Sequence, residues 1–217
     1  QPLNAISLTS SNLKFKCMMD DYDKDIFEKE IDLIDEYSQH LSTTIDDFRG
    51  FFKENKEKEK TSLEDIVKST LGIVKISVET KGITINTDLQ CDVKFETYSN
   101  EVKQVVLNLI KNAEDALLDN ESKNPTITIQ TLCDETKDIK TIIVKDNGGG
   151  IPDDIMPKIF DPYFSTKKEK DGTGLGLYMS KTIIEEHCGG RLSVSNDSDG
   201  AAFSIIFGDN SGEGRYR

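Results

Sequence analysis

The stretch KENKEKEK, Lys53 to Lys60, constrains this chain most: eight residues of alternating charge without one apolar side chain. No packed core can hold it, so it is solvated, and the apolar period differs on its two sides. Before it, Phe27, Ile31, Ile34, Leu41, Ile45, Phe48 and Phe52 follow spacings of 4, 3, 7, 4, 3 and 4, a heptad seam with Ser38 in the one polar slot. After it, GITINTDL, PTITIQTL, KTIIVKD, RLSVSN and AAFSIIF are rich in β-branched residues and separated by polar or glycine-bearing turns, as strands are. The charged run therefore reads as a hinge between a helical unit and a mixed one.

A heptad seam needs a partner helix. The apolar segment from Leu3 through Leu13 to Phe15 is the local candidate, with DDYDKD (Asp20 to Asp25) as the turn. Residues 1–60 are thus expected to form an antiparallel helical hairpin, and a lone hairpin is too thin to bury its seam. Dimerisation into a four-helix bundle is the expectation, and a two-helix extension lying on the next domain is the alternative. In the second unit Thr61 and Glu64 make a capping-box pattern ahead of Leu63, Ile66, Val67, Thr70, Leu71 and Val74. Helical patterns at Asn100–Leu118 and Leu177–His187 interrupt the strands. Residues 61–208 therefore read as an α/β sandwich with helices on one sheet, and the whole chain as α+β. The tail DNSGEGRYR, residues 209–217, has no apolar pattern and is expected to be disordered.

A net charge of −13 argues against a general nucleic-acid binder, because affinity for a phosphate backbone comes from clustered lysine and arginine. No apolar run approaches the roughly 20 residues of a membrane span, and no signal-peptide pattern is visible. The four cysteines, Cys17, Cys91, Cys133 and Cys188, form no CxxC pair and are expected to be reduced thiols of a cytoplasmic protein.

Three stretches carry chemistry. There is no GxxxxGK[ST], and the glycines of KDGTGLGLYMSK are spaced GxGxG (Gly172, Gly174, Gly176), so neither the P-loop nor a dinucleotide fingerprint fits. What does fit is a loop ending in a helix near Leu177, whose freed N–H groups and helix dipole favour an anionic phosphate, with Lys167, Lys168 and Lys170 upstream. A plain glycine turn beside a solvated lysine run is the competing reading. KDNGGGIP sets Asp146 at the end of an apolar strand, followed by Gly148, Gly149 and Gly150. A carboxylate there can accept from an exocyclic amine while glycines admit a flat base; simple turn punctuation is the alternative. In NEVKQVVLNLIKNAEDA, Asn108 and Asn112 stack one turn apart within an apolar helix. Amide oxygens suit Mg²⁺, which takes few protein ligands, although asparagines also bond to neighbouring backbone.

With these motifs in this order the chain resembles the catalytic region of bacterial sensor histidine kinases, within the ATPase superfamily that includes gyrase, Hsp90 and MutL. NEVKQVVLNLIKNAEDA is similar to the family's N box, DNGGGIP to its first glycine box, KIFDPYFSTK to its F box and GTGLGLYMSK to its second glycine box. The resemblance implies a Bergerat-type α/β sandwich that binds ATP and Mg²⁺. Asp146 would take the adenine amino group and Asn112 the Mg²⁺, supported by Asn108. Gly148, Gly150 and Ile151 would shape the base pocket. Lys167, Gly172, Thr173, Gly174, Leu175, Gly176 and Leu177 would cover the phosphates, with Phe160 and Phe164 packing beneath. Ser204, in DGAAFSIIF, matches a hydroxyl position near the adenine. Asp115 is counted among the ATP-binding positions, although many members carry lysine or arginine there.

The resemblance also separates transfer from hydrolysis. Hydrolysing relatives place a glutamate one turn before the magnesium asparagine, and here that position is Asn108, which cannot act as a base. The expected activity is therefore that of a protein-histidine kinase, passing the ATP γ-phosphoryl to a histidine and onward to an aspartate of a response-regulator receiver domain. A nucleotide-dependent conformational switch or scaffold, and an ATPase of the Hsp90 kind, are the alternatives. The hairpin resembles the dimerisation and phosphotransfer domain of these kinases, and Gln1-Pro2-Leu3 match the end of its H box. The phosphoacceptor histidine would lie before Gln1. His40 lacks its proline context and His187, in EEHCGG, resembles a histidine of structural character in the family, so this chain is expected to bind Mg·ATP without phosphorylating itself. It is expected to be a cytoplasmic homodimer with no membrane contact of its own, and membrane anchoring of the parent is left open.

Overall fold

The computed structural model describes residues 2–19, 23–51, 57–166 and 174–208, with Pro2, Glu36 and residues 39–51 described by backbone alone. The chain divides into two compact units, Gln1–Glu54 with Tyr163–Leu175, and Asn55–Pro162 with Gly176–Arg217.

The first unit is a helical hairpin. Helix α1 runs from Pro2 to Met18 and α2 from Lys24 to Phe51. Asp23 starts α2 by accepting the N–H groups of Asp25 and Ile26 on its carboxylate, which satisfies donors that no earlier carbonyl can reach. Lys16 and Glu30 pair across the two helices at 2.9 Å. Of the seam positions whose side chains are described, Phe27 and Ile34 are half-buried and Ile31 is exposed. The Ser38 hydroxyl, in the polar slot, donates to the Ile34 carbonyl one turn back, so it needs no partner across the seam. Side chains of Leu41, Ile45 and Phe48, and all of Phe52, lie outside the described residues.

The second unit is built from β1 (Glu59–Thr61), α3 (Leu63–Thr80), β2 (Thr84–Leu89), β3 (Phe95–Thr97), α4 (Ser99–Asp119), β4 (Thr126–Asp134), β5 (Ile139–Asp146), α5 (Gly176–Thr182), β6 (Arg191–Asn196) and β7 (Ala201–Phe207). A 3₁₀ turn covers Met156–Lys158, and α5 loosens into a π-helical turn over Ile183–His187. The main sheet has the order β2-β4-β5-β7-β6, with β2 parallel to β4 and the other pairs antiparallel. Period-2 alternation decides which face is covered. Ile127, Ile129 and Thr131 of β4, Ile142 and Val144 of β5, and Phe203, Ile205 and Phe207 of β7 all turn inward and are buried. Against them lie Leu63, Ile66 and Val67 of α3, Val102, Val105, Val106, Leu109 and Ile110 of α4, and Ile183 and Ile184 of the π turn. Lys140 occupies an inward position of β5, and it is tolerated because its ammonium reaches Asp138 Oδ1 at 2.5 Å and lies 5.6 Å over the Phe95 ring.

Three sequence expectations need correction. The end of the charged run is not all linker: Glu59 and Lys60 belong to β1, which pairs antiparallel with β3 in a separate two-stranded sheet. The cap of α3 is Ser62, whose Oγ accepts the Asp65 N–H at 3.2 Å, and Thr61 is the last residue of β1. Finally, Cys91 and Cys133 are joined in a disulfide, while Cys17 and Cys188 are free. The parallel register pairs Leu89 with Thr131, and two further residues on each chain bring the two cysteines opposite. Gln90 and Cys91 donate their N–H groups to the carbonyl and hydroxyl of Thr131, which carries that register forward.

Candidate active site

Asp146 closes β5 on the buried side of the sheet and is 5% exposed. Its Oδ1 accepts the Gly148 N–H at 2.8 Å and the Ala201 N–H at 3.4 Å. Among the described residues Oδ2 has no hydrogen-bond partner. Burial pushes the carboxyl above its usual range, and the two N–H donors pull it back only in part. One oxygen is thus pinned while the other remains an acceptor. Gly148 lies so close that an added Cβ would meet Asp146 Oδ1 at 3.0 Å and Ala116 Cβ at 3.2 Å. A side chain there would strike both the carboxylate and α4, so glycine is what lets the loop approach the two so closely.

The glycine loop after β5 is held from outside by three asparagines. Asn120, just past α4, donates to the Gly148 carbonyl at 2.7 Å. Asn147 accepts the Thr126 N–H at 2.8 Å and donates to the Asn124 carbonyl at 3.1 Å. Asn196, the last residue of β6, accepts the Ile151 N–H at 2.9 Å and donates to the Ile151 carbonyl at 2.6 Å. Gly149 adopts φ +91° and sends its N–H to the Asp199 carbonyl at 3.0 Å.

Helix α4 supplies the opposite wall. Its inward face is apolar, but Asn108, Asn112, Asp115 and Ala116 form a half-buried stripe at i, i+4, i+7 and i+8. Ala116 meets Gly148, which orients the stripe toward the glycine loop. Asn112 has a buried amide nitrogen without a partner. An amide turned over places its oxygen at that position, the hard neutral donor that a divalent cation such as Mg²⁺ accepts, so the residue fits a metal role. Asn108 donates its Nδ2 to Ser180 Oγ at 2.9 Å, and an added Cβ on Gly176 would lie 2.7 Å from its Oδ1. Gly176 and Ser180, one turn apart on α5, thereby clasp Asn108. Lys181 on the same helix lies 5.0 Å over the Phe160 ring.

Asp115 is matched by Lys111 at 2.8 Å, and the same ammonium meets Glu114 Oε1 at 2.9 Å, an oxygen that Lys81 also reaches at 2.6 Å. Burial alone would raise the Glu114 carboxyl, but the two ammonium groups outweigh it and hold it low.

The second unit therefore carries Asn108, Asn112, Asp115, Asp146, Gly148, Gly150, Ile151, Gly176 and Leu177, with Gly176 meeting Asn108 at one point of α4 and Gly148, beside Asp146, meeting Ala116 two turns further on. Gly174 and Leu175 group with the first unit. There Gly174, at φ +66°, leaves no space for a Cβ against the Tyr163 and Phe164 backbone, and Leu175 is buried. Lys167, Gly172 and Thr173 lie outside the described residues. Ser204 is corrected: it follows Phe203 in β7 and so points to the sheet face opposite Asp146, and Ala201 is the β7 residue that reaches the carboxylate. His187 packs as a structural residue, its Nδ1 3.1 Å from Glu101 Oε1. Asn120, Asn196 and Ser180 were not singled out by sequence, because asparagine and serine near turns and helix ends are too common to signal anything before their partners are known. Among the described residues no group of three or more His, Cys, Asp or Glu could hold a metal, and no helix is long and apolar enough to cross a membrane.

A family model described as histidine kinase-, DNA gyrase B- and HSP90-like ATPase matches residues 97–210. Sporulation kinase A of Bacillus subtilis is 32% identical over 156 residues, covering 71% of this chain and 24% of its own length. The nucleotide-free catalytic domain of histidine kinase ThkA superposes with a TM-score of 0.59 at 26% identity, covering 70% of this chain and 97% of that one. ThkA in complex with the response regulator TrrA shares the fold over 95% of this chain and 58% of that one, with a TM-score of 0.67 at 22% identity. The chain spans between 24% and 33% of the length of the first curated relatives it matches.

Proposed function

The chain belongs to the histidine kinase-, DNA gyrase B- and HSP90-like ATPase family, and on that premise we propose that it is the Mg·ATP-binding catalytic region of a sensor histidine kinase. The observation that carries the reading is Asp146, nearly buried, with Oδ1 held by two N–H donors and Oδ2 left to accept from an exocyclic amine. In this reading Oδ2 takes the adenine amino group while Gly148, Gly150 and Ile151 form the wall of the base pocket. Asn112 holds Mg²⁺, which supplies charge to the β- and γ-phosphates when bound. Asn108, anchored on Ser180, supports the metal asparagine from one turn away, and Asp115 with Lys111 borders the phosphate side. Gly176 and Leu177, at the start of α5, border the phosphates. The γ-phosphoryl passes to a histidine nitrogen as its bond to the β–γ bridging oxygen breaks and ADP leaves, and it passes from that nitrogen to an aspartate of a response-regulator receiver domain, freeing the histidine.

A water-activating base is missing at position 108, where the amide is already spent on Ser180, so transfer is favoured over hydrolysis. Residues 1–54 serve as the dimerisation hairpin, 55–208 hold the catalytic domain with β1 as its first strand, and 209–217 follow as a tail. ATP is a cytoplasmic substrate, and we place the chain on that side of any membrane. His40 and His187 are not the acceptor; His187 is engaged by Glu101.

The test is phosphotransfer in trans. This chain, γ-labelled ATP and Mg²⁺ are mixed with an isolated hairpin that carries a complete H box, and the label is expected on the hairpin and not on the chain. Tight ATP binding without transfer would favour a nucleotide-controlled scaffold, and a stable label on the chain alone would contradict the assignment of the acceptor.

A further inference from the structure

An asparagine side chain carries a donor and an acceptor about as far apart as those of a peptide, so it can pair with backbone as a strand edge does. Asn196 pairs in this way with one residue of the glycine loop, taking the Ile151 N–H at 2.9 Å and giving to the Ile151 carbonyl at 2.6 Å. It also fills the space above Gly150, whose φ is +79° and where an added Cβ would press on Asn196 Oδ1 at 3.0 Å. The β6–β7 turn that begins at Asn196 makes two further contacts to the same region. The Asp199 carbonyl holds the Gly149 N–H, and the Ala201 N–H reaches Asp146 Oδ1. The turn itself is tight. Asp197 accepts the N–H groups of Asp199 and Gly200 at 2.9 and 3.0 Å, its own N–H reaches the Gly200 carbonyl, and its carboxylate pairs with Lys145. Lys145 and these N–H groups hold the Asp197 carboxyl down to about 2, since each favours its charged form.

We propose that Asn196 is a specificity-positioning residue: by clamping Ile151 it sets the spacing between the glycine loop and the Asp146 carboxylate, and thereby the discrimination of a 6-amino purine from a 6-oxo purine. The inference rests on the reading of Asp146 as the acceptor of the adenine amino group. A base in the pocket must meet Asp146 Oδ2 at its edge and the glycine loop on its face together. Asn196 touches neither the base nor the carboxylate, so it acts through the loop.

The test compares Mg·ATP with Mg·inosine triphosphate, which differ at the 6-position, by calorimetry on the full chain, alongside thermal unfolding. Asn196→Ala is expected to lower the preference for ATP about tenfold, the worth of one misplaced hydrogen bond, with little change in Tm. Asn196→Asp keeps the acceptor for the Ile151 N–H but sets an oxygen against the Ile151 carbonyl, and should lose at least as much preference. Asp146→Asn serves as the control and should abolish the preference. A preference that survives Asn196→Ala but not Asp146→Asn overturns this inference alone. Equal loss of both nucleotides with a falling Tm overturns it too, since the role is then only structural. A preference that survives Asp146→Asn instead sinks the adenine reading.

Discussion

Asp146 sets a requirement of function against stability. A buried carboxylate is costly, and burial holds its carboxyl above the usual range despite the N–H donors on Oδ1. Because the folded-state value is raised, the neutral form is the one folding favours: its contribution is present at low pH and lost as pH rises through the raised value. Asp146→Asn is therefore expected to unfold no lower than the parent at pH 7, the difference closing as the pH falls into the carboxyl's raised range. Its affinity for Mg·ATP should drop about 10- to 100-fold, because a donor replaces an acceptor to a charged hydrogen bond. Calorimetry and thermal melts across pH measure both, and a melting point well below the parent's at pH 7 would contradict the account. The position of Asp146 was legible in sequence, since an aspartate ending an apolar strand before three glycines is a local pattern. Ser204 was misjudged because the pattern places it in a strand but not on a face relative to a different strand.

At the scale of elements, period did most of the work where segments were long. The strands at Arg191–Asn196 and Ala201–Phe207 and the long helix around Asn108 and Asn112 are where alternation and 3.6-residue spacing put them. The three-residue strands β1 and β3 are too short to carry a period, and they exist because they pair with each other. The disulfide is likewise a product of pairing, since the sequence separation of 42 between Cys91 and Cys133 is closed by the β2-to-β4 crossover. Closing a loop of that length removes unfolded-chain entropy worth about 4 kcal/mol. Reduction with excess dithiol is therefore expected to lower the Tm of the catalytic unit by about 10 °C, leaving the Asp146 pocket intact once refolded. Alkylation and mass spectrometry before and after reduction should show Cys91 and Cys133 becoming reactive together. Cys188 should stay slow in both states, since burial pushes its thiol up to about 11.

At the scale of the whole molecule, the hairpin leaves Leu3, Leu8 and Phe15 of α1 between 64% and 65% exposed, with Ile31 of α2 at 55%. Two helices cannot bury such a surface between themselves, and a second copy of the hairpin is the cover we propose. Sedimentation equilibrium should report a dimer, and Leu8→Glu with Phe15→Glu should give a monomer whose catalytic unit melts unchanged. A monomeric parent chain would contradict this. What the sequence by itself determined was a helical hairpin, a one-sided sandwich, and the placing of Asp146 at a strand end and of Asn108 with Asn112 on one helix face, because each follows from spacing along one element or one turn. What only the tertiary structure decided was everything that joins elements distant in the chain: Asn196 to Ile151, Ser180 to Asn108, Ala201 to Asp146, and Cys91 to Cys133. Local periodicity reports which face of a segment seeks burial, whereas the partner it finds depends on strand order and register, which no single segment encodes.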